Sequence, residues 1–418
     1  MNEFAAYSTV AITLGLVVAR PKLGSSYRLT PAAAAFAGVL VMGVLGIVRP
    51  VHLVQAAANL WTPFVALASI MVMTEAARRS GLLDWWAAHI EARAVSTSGL
   101  FLLVFALGVL TSTAFNNDAA ILLLTPVVIA LVKRRYPGVP QLVLPFAFAV
   151  FMSAGVAALP VSNPMNMVVS EFLKIRFNDY ALHMIPVSIA GNVVGFLILR
   201  VIFSAQLRQP IGPATQAPMP ATPVQRRMMA LLGCVLVSYP LFGALGVPVW
   251  PVALCGAALS VLLLRGGRSI HPVELVRNGV SWETLGFLLA VLIMSLGLRQ
   301  VGLVARLEAL YAGAGFATVG VVSAIGSALL NNHPMSHLNM MALESGAHSG
   351  HLGVFAALIG GDLGPRLLPI GSLAGLLWIE MLRRHGVSVS VGRFVRIGLA
   401  VAVPTIAISM LILALFGG

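Results

Sequence analysis

Charge is what this chain has least of: 9% of its 418 residues are Asp, Glu, Lys or Arg, and only 13 are acidic. Soluble domains carry roughly 25% charged residues, so a soluble globular protein is excluded. Cysteine is rarer still. Cys234 and Cys255 stand alone, which rules out a disulfide framework and a trio of thiolates for a soft metal. They lie on neighbouring apolar segments and read as small buried hydrophobes. Several catalytic signatures are also missing. Without a GxxxxGK[ST] loop the chain does not hydrolyse ATP by that route. No HExxH pattern accompanies His333 and His337, and Ile359 occupies the place where a Gly-x-Gly-Asp intramembrane aspartyl hydrolase would need glycine. No metal, no cofactor and no enzymatic activity are expected.

What fills the chain instead is apolar sequence, 59% hydrophobic residues with a mean hydropathy of +0.96. Runs of about 20 apolar residues suffice to span a bilayer. The segments 4–19, 31–48, 59–77, 140–172, 181–204, 228–246, 248–264, 282–298, 353–384 and 393–416 are candidate crossings. Two further apolar stretches, 97–132 and 313–343, are each split by an Asn-Asn pair into pieces read as too short to cross alone. Both read as re-entrant hairpins, a form tolerated only where the broken backbone faces protein or a wet cavity. The expected fold is therefore an all-α polytopic membrane protein with about ten transmembrane helices, two re-entrant hairpins and two inverted repeats with broken helices.

The formal net charge of +13 would suggest nucleic acid in a soluble protein, but here its distribution sets orientation. No nucleic acid partner is expected. Nineteen of the 26 basic residues fall in one set of loops, including Arg78, Arg79, Lys133, Arg134, Arg135, Arg268, Arg383 and Arg384. With those loops cytoplasmic, both termini lie outside.

The chain is duplicated. Trp61/Trp282, Met73/Met294, Arg78/Arg299, Gly81/Gly302 and Leu82/Leu303 are each 221 positions apart, and Asn116/Asn331 and Asn117/Asn332 are 215 apart. The Leu-Pro before Val161-Ser162-Asn163 matches the Leu-Pro before Ile370-Gly371-Ser372 at 209. Trp61 begins a run directed inward and Trp282 one directed outward, so the repeats are inverted, a signature of secondary transporters. The expected organisation is scaffold helices over 1–94, a hairpin and broken-helix transport unit over 95–204, a Pro-rich cytoplasmic linker over 205–227, scaffold helices over 228–311 and a second transport unit over 312–418.

Four polar segments interrupt the apolar runs. A helix starting after Asn117 would point free N–H groups into the cavity, able to hold an oxyanion or hydroxyl, although Asn116, Asn117 and Asp118 also suit N-capping alone. The second tip carries Asn331, Asn332 and His333 ahead of Pro334. "LPVSNPMN" at 159–166 and "GGDLGPRLLPIGS" at 360–372 must break helical bonding, freeing carbonyls and amides for a ligand or ion. Asp362 and Arg366, four apart, can neutralise one another. Asp118 has no basic neighbour in sequence and is the first candidate proton carrier.

These segments resemble the ArsB-type arsenite/antimonite efflux permeases of the ion transporter superfamily. The resemblance rests on "NNDAAILLLTPVVIAL" (116–131), "VSNPMNMVVSEF" (161–172), "LLNNHPM" (329–335) and above all 359–398, beginning "IGGDLGPRLLPIGSLAGLLWIEMLRR". It implies a ten-helix, two-hairpin architecture and export of trivalent arsenic and antimony across the cell membrane in exchange for protons. It also allows a soluble, arsenite-stimulated ATPase partner on the cytoplasmic face. By matching motif it implies a site built from Asn117, Asp118, Ser162, Asn163, Asn331, Asn332, Asp362, Arg366, Gly371 and Ser372. The residues themselves add Asn116 to the candidate substrate contacts and make Asp118, Asp362, Arg366 and His333 the candidates for proton coupling. The chain departs from that family's usual Met and Thr at His333 and Met335, from Lys at Arg366, and from an acidic residue in the region of Ser153-Ala154-Gly155. Another superfamily carrier, for an organic anion or for sodium and protons, is the alternative; a passive channel fits inverted repeats with paired hairpins less well.

Overall fold

The structure is a computed structural model that describes residues 2–23, 27–213, 219–265, 271–344 and 350–417. Arg268 and the centre of the linker, 214–218, lie outside the described residues. Among the described residues nine helices form the first half: α1 (Asn2–Ala19), α2 (Pro31–Val44), α3 (Pro50–Arg79), α4 (Leu82–Arg93), α5 (Thr97–Ala114), α6 (Asn117–Arg135), α7 (Val143–Ser153), α8 (Pro164–Phe172) and α9 (Phe177–Ile202). Ten form the second: α10 (Pro223–Ala244), α11 (Val249–Arg265), α12 (Pro272–Gly279), α13 (Trp282–Gln300), α14 (Leu303–Tyr311), α15 (Phe316–Leu330), α16 (Asn332–Leu343), α17 (Gly350–Leu363), α18 (Leu373–Arg384) and α19 (Val391–Phe416). The sole strands among the described residues are two short ones, Lys22–Leu23 and Tyr27–Arg28, paired antiparallel between α1 and α2.

The order of elements repeats, with α3 of the first half answered by the pair α12 and α13. Gly81 and Gly302, 221 apart, both adopt left-handed backbone, at φ 74° and φ 84°, as the residues preceding α4 and α14. Only glycine takes that conformation freely, so the sequence match is also a conformational one. The packing is reciprocal across the halves: α2 lies on α13 and α11 on α3, α8 on α16 and α18 on α6, while α9 and α19 pair with one another. Exchanging the halves leaves this pattern unchanged, as an inverted duplication requires.

Among the described residues six helices are long and apolar enough to cross a membrane: α3, α5, α9, α10, α13 and α19. Their outer faces expose Leu182, Ile189, Val193, Leu241, Val403 and Leu411, as lipid contact demands. Three expectations need correction. The crossing read as 59–77 is a 30-residue helix from Pro50, because proline is well placed at the first helical position and His52 Nδ1 accepts the Arg49 N–H at 3.1 Å. The first hairpin arm, α5, is not too short to cross: its 18 residues rise about 27 Å, and a turn at Phe115–Asn116, not shortness, ends it. Cys234 and Cys255 are exposed rather than buried; α10 and α11 sit at the periphery and pack only one face each, and both sulfurs lie on the other.

The linker's ends are pinned to the first half. Thr97 Oγ1 donates to the Gln209 carbonyl at 2.6 Å and Trp85 Nε1 to the Met219 carbonyl at 2.9 Å. Arg135, counted with the basic loops, is buried instead, donating to the Glu91 carbonyl at 2.6 Å and facing the Glu91 carboxylate at 3.8 Å. It ties the end of hairpin α5–α6 to α4.

Candidate substrate site at the hairpin tips and broken helices

Both hairpin tips are built by asparagine caps. Asn116 Oδ1 accepts from the Ala119 N–H at 2.7 Å, opening α6, and Asn331 Oδ1 accepts from the His333 N–H at 3.3 Å, opening α16. Asn331 does so at φ 79° and ψ 147°, a region occupied almost entirely by glycine and strained by about 1–3 kcal/mol for other residues. Four further polar atoms of the second tip are buried without partners among the described residues: Asn332 Oδ1, His333 Nδ1 and both ring nitrogens of His337. His333 also meets Phe287 edge-on, ring centroids 6.0 Å apart.

The two tips open onto different cavities. Asn116 and Asp118 line one of about 180 Å³ with Glu75, Asn278, Ser281 and Thr284. Asn331 and Ile370 line another of about 380 Å³ against the apolar flank of α1. Asn278, Ser281 and Thr284 were not singled out from sequence, although the gap between α12 and α13 that positions them mirrors an uninterrupted stretch of α3. Glu75 shares the first cavity while its carboxylate is held by Arg78 and Arg79, each at 2.7 Å.

The broken helices carry the interrupted backbone expected of them. Asn163 caps α8, its Oδ1 accepting from the Met165 N–H at 3.1 Å, and Ser372 caps α18 through the Gly375 N–H at 3.0 Å. Ser162 Oγ reaches back to the Thr113 carbonyl of the first hairpin at 3.2 Å. Gly371 is pressed against Pro365 and the Ser327 carbonyl, where a Cβ would collide with backbone. The freed carbonyls between α7 and α8 are not open, however. Ala154, Gly155, Val156 and Ala157 each receive a side-chain donor, from Arg366, from Asn117 at 3.3 Å, from Ser188 at 2.7 Å and from Tyr180 at 3.1 Å respectively. In low dielectric an unpaired carbonyl is costly, so four different donors converge on one broken turn.

Asp362 and Arg366 do not pair with each other. Asp362 Oδ1 accepts from Asn163 Nδ2 at 2.6 Å, and its Oδ2 from the Ala157 N–H at 2.9 Å and Asn166 Nδ2 at 3.0 Å. Arg366 bonds the Ala154 carbonyl and lies over the Phe151 ring, 4.6 Å from its centroid. Both charges of the second broken helix thus reach into the first. The hydrogen bonds to Asp362 come from Asn163, Asn166 and Ala157 and none joins it to Asp118, so the two aspartates form no shared-proton dyad. In the first half the position matching Asp362 is Ser153, whose Oγ merely donates to the Val150 carbonyl at 2.9 Å.

This architecture has a counterpart among solved structures: the YdaH transporter of Alcanivorax borkumensis matches all of this chain and 98% of its own at a TM-score of 0.61 with 16% identity. The profile of the family described as "ArsB: Arsenical pump membrane protein" matches residues 5–416. The chain belongs to that family. The arsenical pump membrane protein of Escherichia coli K12 is 30% identical over 97% of this chain and 96% of its own length. A putative arsenical pump membrane protein of Bacillus subtilis is 26% identical over 92% and 93%. Like the rest of the arsenical pump membrane family, the protein is a multi-pass membrane transporter. Among the described residues, no three His, Cys, Asp or Glu side chains converge as metal ligands.

Proposed function

We propose that the protein exports trivalent arsenic and antimony across the cytoplasmic membrane in exchange for protons, by alternating access between its inverted halves. In water near neutral pH arsenite is an uncharged trihydroxide, a small donor and acceptor. The observation that carries the reading is the first tip, where Asn116 and Asp118 share a cavity with Asn278, Ser281 and Thr284. Amides and hydroxyls hold such a molecule reversibly, whereas thiolates would trap it; both cysteines are exposed and away from the tips. Family membership over nearly the whole chain supports the same substrate.

On this reading the hairpins and broken helices of 95–204 and 312–418 are the transport units, and 1–94 and 228–311 the scaffold. Asn116, Asn117, Ser162, Asn163, Asn331, Asn332, Gly371 and Ser372 are the candidate substrate contacts. Asp118 is the leading proton carrier, since it lines the first cavity and the other acid there, Glu75, is held by Arg78 and Arg79, with Asp362, Arg366 and His333 as further members of the relay. The basic loops face the cytoplasm, where a soluble ATPase would dock, and both termini lie outside.

The test is uptake of radiolabelled arsenite and antimonite by inside-out vesicles, with and without an imposed proton gradient. Gradient-driven uptake is the expected result. Its absence for both solutes rejects the reading.

A further inference from the structure

Two residues outside the candidate contacts complete the surroundings of Asp362. Asn166, on α8, donates through one Nδ2 both to Asp362 Oδ2 at 3.0 Å and to the Tyr180 hydroxyl at 2.7 Å. Tyr180, on α9, in turn donates to the Ala157 carbonyl at 3.1 Å. All three side chains are buried, with Asn166 and Tyr180 0% and Asp362 2% exposed. Asn166 Oδ1, meanwhile, has no partner among the described residues.

We infer that Asp362, Asn166 and Tyr180 form a proton-binding triad in which the Asn166 amide reports the protonation state. As arranged, the triad suits an ionised carboxylate: three N–H donors point at Asp362 and nothing around it accepts. When a proton from water binds Oδ2, the new O–H needs an acceptor. A half-turn of the Asn166 amide supplies one, because the carbonyl and amino ends have nearly the same shape. Oδ1 then accepts from the Asp362 O–H and also from the Tyr180 O–H, which leaves Ala157. The Ala157 N–H still donates to Oδ2, and Asn163 still donates to Oδ1 of the carboxyl group. One proton is gained, the triad's charge goes from −1 to 0, and no covalent bond changes apart from the new O–H.

The consequence lies at Ala157. Its carbonyl, one of the four on the broken turn, is capped while Asp362 is ionised and freed when Asp362 is protonated, so proton uptake exposes an acceptor beside Asn163. That coupling to cargo rests on the export reading; the proton site itself does not. Arg366 and Tyr180 are the groups acting electrostatically on Asp362, and Asp118 enters through Arg366. His333 and His337 lie on the adjoining α16, and neither hydrogen-bonds Asp362.

Infrared difference spectroscopy of the purified full chain, stepped from alkaline to mildly acidic buffer, tests this without arsenite. A protonated-carboxyl C=O band is expected on acidification, with one component that is lost in Asp362→Asn and kept in Asp118→Asn. In Asn166→Leu and Tyr180→Phe it moves to higher wavenumber, as an O–H deprived of its acceptor or of that acceptor's support requires. Tyr180→Phe removes a single oxygen and serves if a larger change prevents folding. A wild type without the band, a band surviving intact in Asp362→Asn, or a position unmoved by both Asn166→Leu and Tyr180→Phe overturns the triad. If vesicles lack gradient-driven uptake while the band behaves as described, the export reading fails and the triad stands; the reverse pattern removes the triad alone.

Discussion

Asn163 and Asp362, 199 residues apart, meet in a 2.6 Å hydrogen bond that joins the broken helix of one half to that of the other. The same Asn163 caps α8 through its Oδ1, so one side chain both starts a helix and fastens the halves together. Asn163→Ala removes the cap, worth about 1 kcal/mol, and a bond to a charged group, worth roughly 2 kcal/mol. Unfolding in detergent is expected to show a loss of about 3 kcal/mol by those two contributions. A loss near the cap value alone would mean that the Asp362 bond contributes nothing net.

Asp118 and His333 occupy corresponding places just beyond the Asn pairs, where Asp118 lines the first cavity and His333 is buried. Asp118→Asn is expected to lower gradient-driven uptake by at least about tenfold, some 1.4 kcal/mol of barrier, and His333→Ala by clearly less. Vesicle uptake at a fixed gradient measures both. The opposite ranking would move the proton carrier to the second hairpin.

Asn331 separates strain from function. Asn331→Gly relieves a backbone strained by about 1–3 kcal/mol and gives up only a few tenths of a kcal/mol as a cap. Thermal unfolding should therefore show equal or greater stability, whereas Asn331→Ala should destabilise. If the amide contacts cargo, transport falls in both variants; retained transport in the stable Asn331→Gly would remove Asn331 from the site.

Gly360 touches the Gly320 carbonyl and the Ala324 N–H, leaving no room for a Cβ, while Gly233 on α10 has nothing within 4 Å of that position. Gly360→Ala should cost about 1–3 kcal/mol through overpacking of α17 on α15. Gly233→Ala should gain about 0.5–1 kcal/mol of helix stability. Equal effects on the melting temperature would contradict the close packing of the second hairpin against its broken helix.

Orientation is open to thiol labelling in a background with Cys234 and Cys255 replaced by serine. Arg306 and Arg227 are both exposed, on opposite sides of the proposed topology. An impermeant maleimide added to intact cells is expected to label Arg306→Cys and spare Arg227→Cys. The reverse pattern would invert the topology and place the basic loops outside.

Much of the architecture was legible in the sequence because its signals are local. Scarce charge and long apolar runs mark a membrane protein, Gly81 and Gly302 mark the repeat through a conformation that only glycine adopts freely, and the Asn pairs mark hairpin tips through capping. Arg135 shows where local reading stops: a basic residue beside Lys133 and Arg134 looks like a loop charge until the fold buries it against Glu91.

The sequence by itself determined which groups are polar at membrane depth, that they come in two matched sets, and that helices must break around them, since proline, glycine and asparagine act on their own neighbourhood. Only the tertiary structure decided whom those groups meet. Asp362 and Arg366, four residues apart, look like partners in sequence, yet the inverted packing turns both toward the other half, where Asn163, Asn166, Ala157 and Ala154 await donors or acceptors. Tyr180 gave no signal at all in an apolar helix. Its importance comes from a hydroxyl placed against one freed carbonyl, and long-range proximity of that kind is set by packing rather than by spacing.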